Sequence, residues 1–130
     1  MKRNCDEQGS VTLEAVLVLP VLLLSIMAVV QVALFAHASN LANTAAREGT
    51  RSLRLTGQDD TGRERAAEFL HDHGAQVVLE PAVVAGSRQG VASVDVSGRA
   101  VSLIPGLSFP VHGHSAGPIE AFTGIATNTP

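Results

Sequence analysis

Tryptophan and tyrosine are absent from this chain of 130 residues, and four phenylalanines supply all of its aromatic content. A core has to be assembled from Val, Leu, Ile and Ala around those few rings, which makes it thin and dependent on support from other elements. Cysteine occurs once, at Cys5, ahead of the long apolar run. It has no partner for an internal disulfide, and a lipid-attachment cysteine would follow such a run rather than precede it. Lysine also occurs once, at Lys2; net charge is −3, and no aromatic side chain is interleaved with the arginines. Nucleic-acid binding therefore has no support.

Catalytic chemistry is short of parts as well. Two His-x-His pairs, His71 with His73 and His112 with His114, are the only constellation that could carry it. Residues two apart on a helix point about 200° from each other, so His71 and His73 suit a shared ion only where the helix has unwound. On a strand His112 and His114 share a face. Phe109 and Val111 take the core side of that strand, however, and leave both histidines to solvent. No cysteine remains to complete a ligand set, and Asp72 and Glu120, the nearest acids, have no evident geometry. No serine has nucleophile-elbow spacing around it, so Ser115 and Asp95 make no hydrolase. The sequence predicts no enzyme, no metal site and no cofactor.

What the chain does have is a run without charge over residues 15–36, with Glu14 at its lip. About 22 helical residues at roughly 1.5 Å each span about 33 Å, enough to cross a hydrocarbon core about 30 Å thick. A lone carboxylate beside lipid is costly and implies a use. The polar remainder, roughly 95 residues, has room for one small domain.

Three readings of this N-terminus compete. A secretory signal peptide could end at Ala36, His37 and Ala38, starting the mature chain at Ser39. The run is longer than a cleaved apolar region, though, Glu14 interrupts its start, and Lys2 and Arg3 are balanced by Asp6 and Glu7. A plain single-pass anchor is the second reading, with Glu14 reaching back to the headgroups. In the third, cleavage after Gly9 makes Ser10 the new amino terminus and Glu14 the fifth residue. Within a bundle of parallel helices, Glu14 of one subunit would then neutralise the ammonium group of a neighbour staggered by about one turn.

Gly9, Ser10, Val11, Thr12, Leu13, Glu14, Ala15 and the apolar residues through Pro20 resemble the processed N-terminus of type IV pilin-like proteins. More narrowly, the chain is similar to the TadE-like family, the pseudopilins or minor pilins of tight-adherence (Tad, Flp) type IVb pili. Residues 94–98 and 100–107, with the tail Gly117, Pro118, Ile119, Glu120, Ala121 and Phe122, resemble that family's closing hairpin and its acid-plus-aromatic ending. The resemblance implies a leader cut between Gly9 and Ser10 by a membrane-embedded prepilin peptidase, with Glu14 setting assembly register. It implies as partners the other Tad pilus pilins and pseudopilins, the inner-membrane assembly platform and the lipid bilayer. It also implies a cytoplasmic-membrane protein with its N-terminus in the cytoplasm and its C-terminal domain outside. The charge count is nearly even, Lys2 and Arg3 on one side against Arg47, Arg51 and Arg54 on the other.

Along the chain, Pro20 is expected to kink the helix, and Gln31 to face the interface rather than bond across a helix pair. The helix should run on past the lipid to about Leu55, with Gly49 as a soft point. Ala38, Ala42, Ala46 and Thr50 recur every fourth residue and form a flat stripe for helix packing, onto the chain's own sheet or another subunit. Arg47, Arg51 and Arg54 share a face expected to be solvated and partly paired with Glu48. Thr61 and Glu64 have capping-box spacing for a second helix that ends at Gly74, with Ala66, Ala67, Phe69 and Leu70 on its apolar side. Alternation then predicts strands over 76–84, 91–103 and 108–115, with turns at 86–90 and at Pro105 and Gly106. Pro81 and Pro110 place the first and third strands at the edges, and Val94, Val96, Ala100, Leu107, Phe109 and Val111 should face the core. The expected fold is α+β: a leader (1–9), a transmembrane half-helix (10–36), its continuation outside (37–56), a small α+β domain (57–122) and a fraying tail (123–130).

Overall fold

The computed structural model describes residues 6–120, and their side chains from residue 11 onward. The leader residues before Asp6, the surroundings of Gly9 and the side chain of Ser10, and the tail from Ala121, including Phe122, lie outside that description. Helix α1 (Asp6–Thr56) is 51 residues long and continues through Pro20. Proline supplies no N–H for the carbonyl one turn earlier. Polar side chains of α1 turn back onto its own backbone: the Ser25 hydroxyl donates to Val21 O at 2.8 Å, Asn43 Nδ2 to Ser39 O at 3.0 Å and the Thr44 hydroxyl to Asn40 O at 2.9 Å. Such bonds let polar residues stay in a long helix without seeking outside partners.

Gly57 ends α1. Its φ of 69° is the left-handed conformation that glycine adopts without strain, and its N–H donates to Leu53 O at 2.8 Å. Gln58 is extended, and helix α2 (Asp59–Gly74) starts directly after it. The expected capping box does not form. The helix opens two residues ahead of Thr61, whose hydroxyl faces Gln58 Oε1 at 3.4 Å, and no side chain caps the N-terminus. Asp59 and Asp60 instead bring negative charge to the positive end of the helix dipole. The glycine turn, not the threonine, determines where α2 begins.

α2 runs back along α1. Gly49 and Gly62 meet where the helices cross, and a Cβ on Gly49 would lie 2.7 Å from Gly62 O. Gly49 is therefore a contact point rather than a soft point. At the far end of α2, Gly74 sits against Leu41 and Val78. The residue that follows it, Ala75, is right-handed, so the helix ends at Gly74 without a left-handed cap.

Three strands, β1 (Val78–Arg88), β2 (Val91–Ala100) and β3 (Phe109–Pro118), form an antiparallel sheet in the order β1-β2-β3. β2 is central, and Pro81 and Pro110 lie on edge strands. At Pro81 the ladder slips, with a register shift between Leu79 and Ala82 and Glu80 at φ 49°. The first turn is tighter than the expected 86–90. Gln89 and Gly90, at φ 50° and 77°, close a two-residue hairpin, so β1 extends through Gly86 and Ser87. β3 begins one residue later than expected and runs three residues further, to Pro118.

The core joins Ala38, Ala42, Ala45, Ala46 and Leu53 of α1 to Ala66 and Leu70 of α2, and to Val78, Ala92, Val94, Val96, Ala100 and Val111 of the sheet. Alanines on the helix let the sheet come close. A Cβ on Gly113 of β3 would overlap the Ala42 carbonyl and reach 2.6 Å from Asn43 N. Phe109 is half-buried and meets Phe35 edge to face, ring centres 6.4 Å apart. Leu107, expected inside, is 49% exposed.

Candidate functional site

Helix α1 passes from uncovered to covered between Gln31, its first buried residue among those described, and Ala38, where continuous packing begins. Among the described residues, none from 11 to 30 is buried, and their Val, Leu and Ile side chains are exposed by 41–70%. Twenty residues at 1.5 Å each make about 30 Å of uncovered apolar helix, the thickness of a bilayer core. Among the described residues this is the one helix long and apolar enough to cross a membrane. Glu14 lies on it, exposed, and no described side chain forms an ion pair with it.

Gln31 is 6% exposed, and its position corrects the expectation that it faces the interface. Its Nε2 donates to Val101 O at 3.3 Å, while its Oε1 accepts from Leu103 N at 2.9 Å and from the Ser102 hydroxyl at 3.4 Å. β2 stops at Ala100 rather than at Leu103; past it Val101 N still donates to Val77 O at 3.0 Å, while Val101 O and Leu103 N turn to the helix side chain. A lone amide in an otherwise apolar run was the available signal.

Beyond Gln31 the helix carries the domain. Ala38, Ala42 and Ala46 are fully buried in the core that α1 shares with the sheet of the same chain. The buried Thr50 hydroxyl lies 2.8 Å from Ala46 O and 3.1 Å from Ser115 O. β3 runs alongside α1 in the same direction, from Phe109 beside Phe35 to Pro118 beside Arg54. Nineteen helical residues cover about 28 Å and nine strand steps about 30 Å, so the two elements keep pace over their whole contact.

Of the three arginines, Arg54 has a defined role. Its Nε donates to Pro118 O at 2.7 Å and its Nη2 meets Glu120 Oε1 at 3.0 Å, tying the end of β3 to the helix. Arg47 and Arg51 are exposed. The histidines lie apart from this axis. His112 and His114 are exposed on the outer face of the sheet, where His114 Nδ1 approaches Asp95 Oδ1 of β2 at 2.6 Å. Sequence reasoning set Asp95 beside Ser115 and missed this neighbour, which the antiparallel register supplies. With both side chains more than half exposed, water screens the pair strongly. His73 stacks on Phe69, ring centres 4.6 Å apart. Among the described residues no three His, Cys, Asp or Glu side chains gather as metal ligands.

The chain is an α+β protein whose long N-terminal helix is bare over one half, with the apolar character that fits a membrane anchor, and carries a small domain along the other. Residues 9–51 match the family described as TadE-like protein. That match takes in Gly9, Ser10, Glu14, Pro20 and the Ala38, Ala42 and Ala46 stripe, about a third of the chain, and stops before α2 and the sheet. No curated protein and no solved structure matches the chain.

Proposed function

We propose that this protein is a pilin-like component, a pseudopilin or minor pilin, that takes part in assembling a Tad-type pilus. The observation that carries the reading is the position of Gly9, Ser10 and Glu14 inside the TadE-like match, at the head of about 30 Å of uncovered apolar helix. A prepilin peptidase removes residues 1–9, and the Ser10 ammonium of one subunit takes up Glu14 of the next. The pairing sets the axial register of parallel helices, and it costs less in lipid than a bare carboxylate because each charge offsets the other. Other Tad pilins and pseudopilins and the inner-membrane assembly platform are the partners. The anchor lies in the cytoplasmic membrane with its N-terminus on the cytoplasmic side, and the domain outside contacts further pilus components.

The Ala38, Ala42 and Ala46 stripe serves packing within the subunit, because the sheet already covers it. Contacts between subunits fall instead to the uncovered half of α1, around Glu14 and Pro20. The test is Glu14→Ala in cells that assemble the pilus. Membrane insertion is expected to be unchanged or improved while assembly fails; normal fibres would remove the register role.

A further inference from the structure

A second lipid-facing element lies beside the anchor. The β2–β3 connection, residues 101–108, contains no charged side chain, and Leu103, Ile104 and Leu107 are exposed by 47%, 38% and 49%. Ile104, Pro105, Gly106 and Leu107 form a tight turn: Gly106 has φ 84°, and Leu107 N donates to Ile104 O at 3.3 Å. Bulky apolar side chains at both corners of an exposed turn are unfavourable in water.

Several of this loop's N–H groups, around Leu103, Ile104 and Leu107, already have partners within the protein. Leu103 N donates to Gln31 Oε1, Ile104 N to the Ser102 hydroxyl at 3.2 Å and Leu107 N to Ile104 O, while Pro105 has no N–H to place. A segment that enters the edge of a bilayer needs its polar groups satisfied internally in this way. Gln31 also fixes the loop's height on α1, beside the last part of the uncharged apolar run, where Val32 and Phe35 are still 67% and 40% exposed. Between loop and helix lies an open groove of about 330 Å³, lined by Ala28, Gln31, Val32, Phe35, Ile104 and Phe109. Gln31 is the only polar residue among the six, and the groove is continuous with the bare surface of α1.

We propose that loop 101–108 enters the leaflet on the domain's side of the membrane, with Leu103, Ile104 and Leu107 among the upper acyl chains and lipid filling the groove beside Phe35. The inference rests on the anchor reading above. It makes the domain a two-point membrane mount, in which the loop holds the sheet upright on the bilayer before the subunit is taken up. Lipid is favoured over a partner protein because the loop offers no charged group for polar recognition and adjoins a surface already matched to hydrocarbon in length and character.

The full chain with Cys5→Ser, reconstituted in phosphatidylcholine–phosphatidylglycerol vesicles, tests this. Single cysteines are introduced by Ile104→Cys, Leu107→Cys, Val21→Cys or Gln89→Cys and labelled with an environment-sensitive dye. Brominated lipids then quench by depth. Labels at 104 and 107 are expected to be blue-shifted and quenched several-fold more by shallow-brominated lipid than the label at 89, on the hairpin tip at the opposite end of the sheet. Quenching at 21 with none at 104 and 107 would overturn the loop insertion and leave the anchor standing. No quenching at 21 would overturn both.

Discussion

Replacing Gln31 by Leu removes every bond between the anchor helix and the β2–β3 loop while preserving side-chain size and helix propensity. Leu103 N–H loses its 2.9 Å acceptor and Val101 O its 3.3 Å donor. A buried polar group left unpaired costs about 1–3 kcal/mol. Val101 is half-buried and Leu103 is 47% exposed, so water compensates part of each loss and each falls near the low end of that range. A total of about 2 kcal/mol follows, equivalent to roughly a 30-fold change in a local opening equilibrium. Hydrogen exchange of the full chain in detergent micelles reads this directly. The Leu103 amide is expected to exchange roughly 30-fold faster in Gln31→Leu, while the amides of Val94 and Val96 in the central strand keep their protection. Unchanged exchange at Leu103, or equal acceleration across β2, would refute the claim that this one side chain positions the loop where β2 ends.

Further substitutions test other contacts. Gly113→Val forces a side chain into the Ala42 backbone and is expected to destabilise the domain by about 3 kcal/mol or more, seen as loss of the cooperative thermal transition; a native-like melt would mean that helix and sheet are not in close contact there. Glu64→Ala is expected to change stability by less than about 0.5 kcal/mol in denaturant unfolding, because no capping box exists for it to break. Arg54→Ala removes an ion pair that is partly open to water together with a bond to Pro118 O, and about 1 kcal/mol is expected from the same melts.

Composition and proline placement carried much of the architecture. A long uncharged apolar run followed by alanine-rich residues free of proline favours one continuous helix, and prolines at 81 and 110 confine their strands to the edges. What escaped sequence reasoning depended on contacts between distant segments. Gln31 reads as an isolated amide until the loop 70 residues later folds onto it. With it went the end of β2 and the exposure of Leu107, whose alternation with Phe109 and Val111 continues a strand that has not yet started. The capping-box spacing of Thr61 and Glu64 was real, but Gly57 turns the chain earlier and lets α2 start ahead of it. Glu14 and Gly9 stand out by spacing along the chain alone, and both fall within the residues that match the TadE-like family.

The central claim is that Glu14 lies one turn from an amino terminus created by cleavage. The intact mass and N-terminal residue of the protein from cells with an active prepilin peptidase test it most directly. A mature chain beginning at Ser10 is expected, with the leader retained when the peptidase is deleted. A chain still beginning at Met1, or one beginning at Ser39, would contradict it.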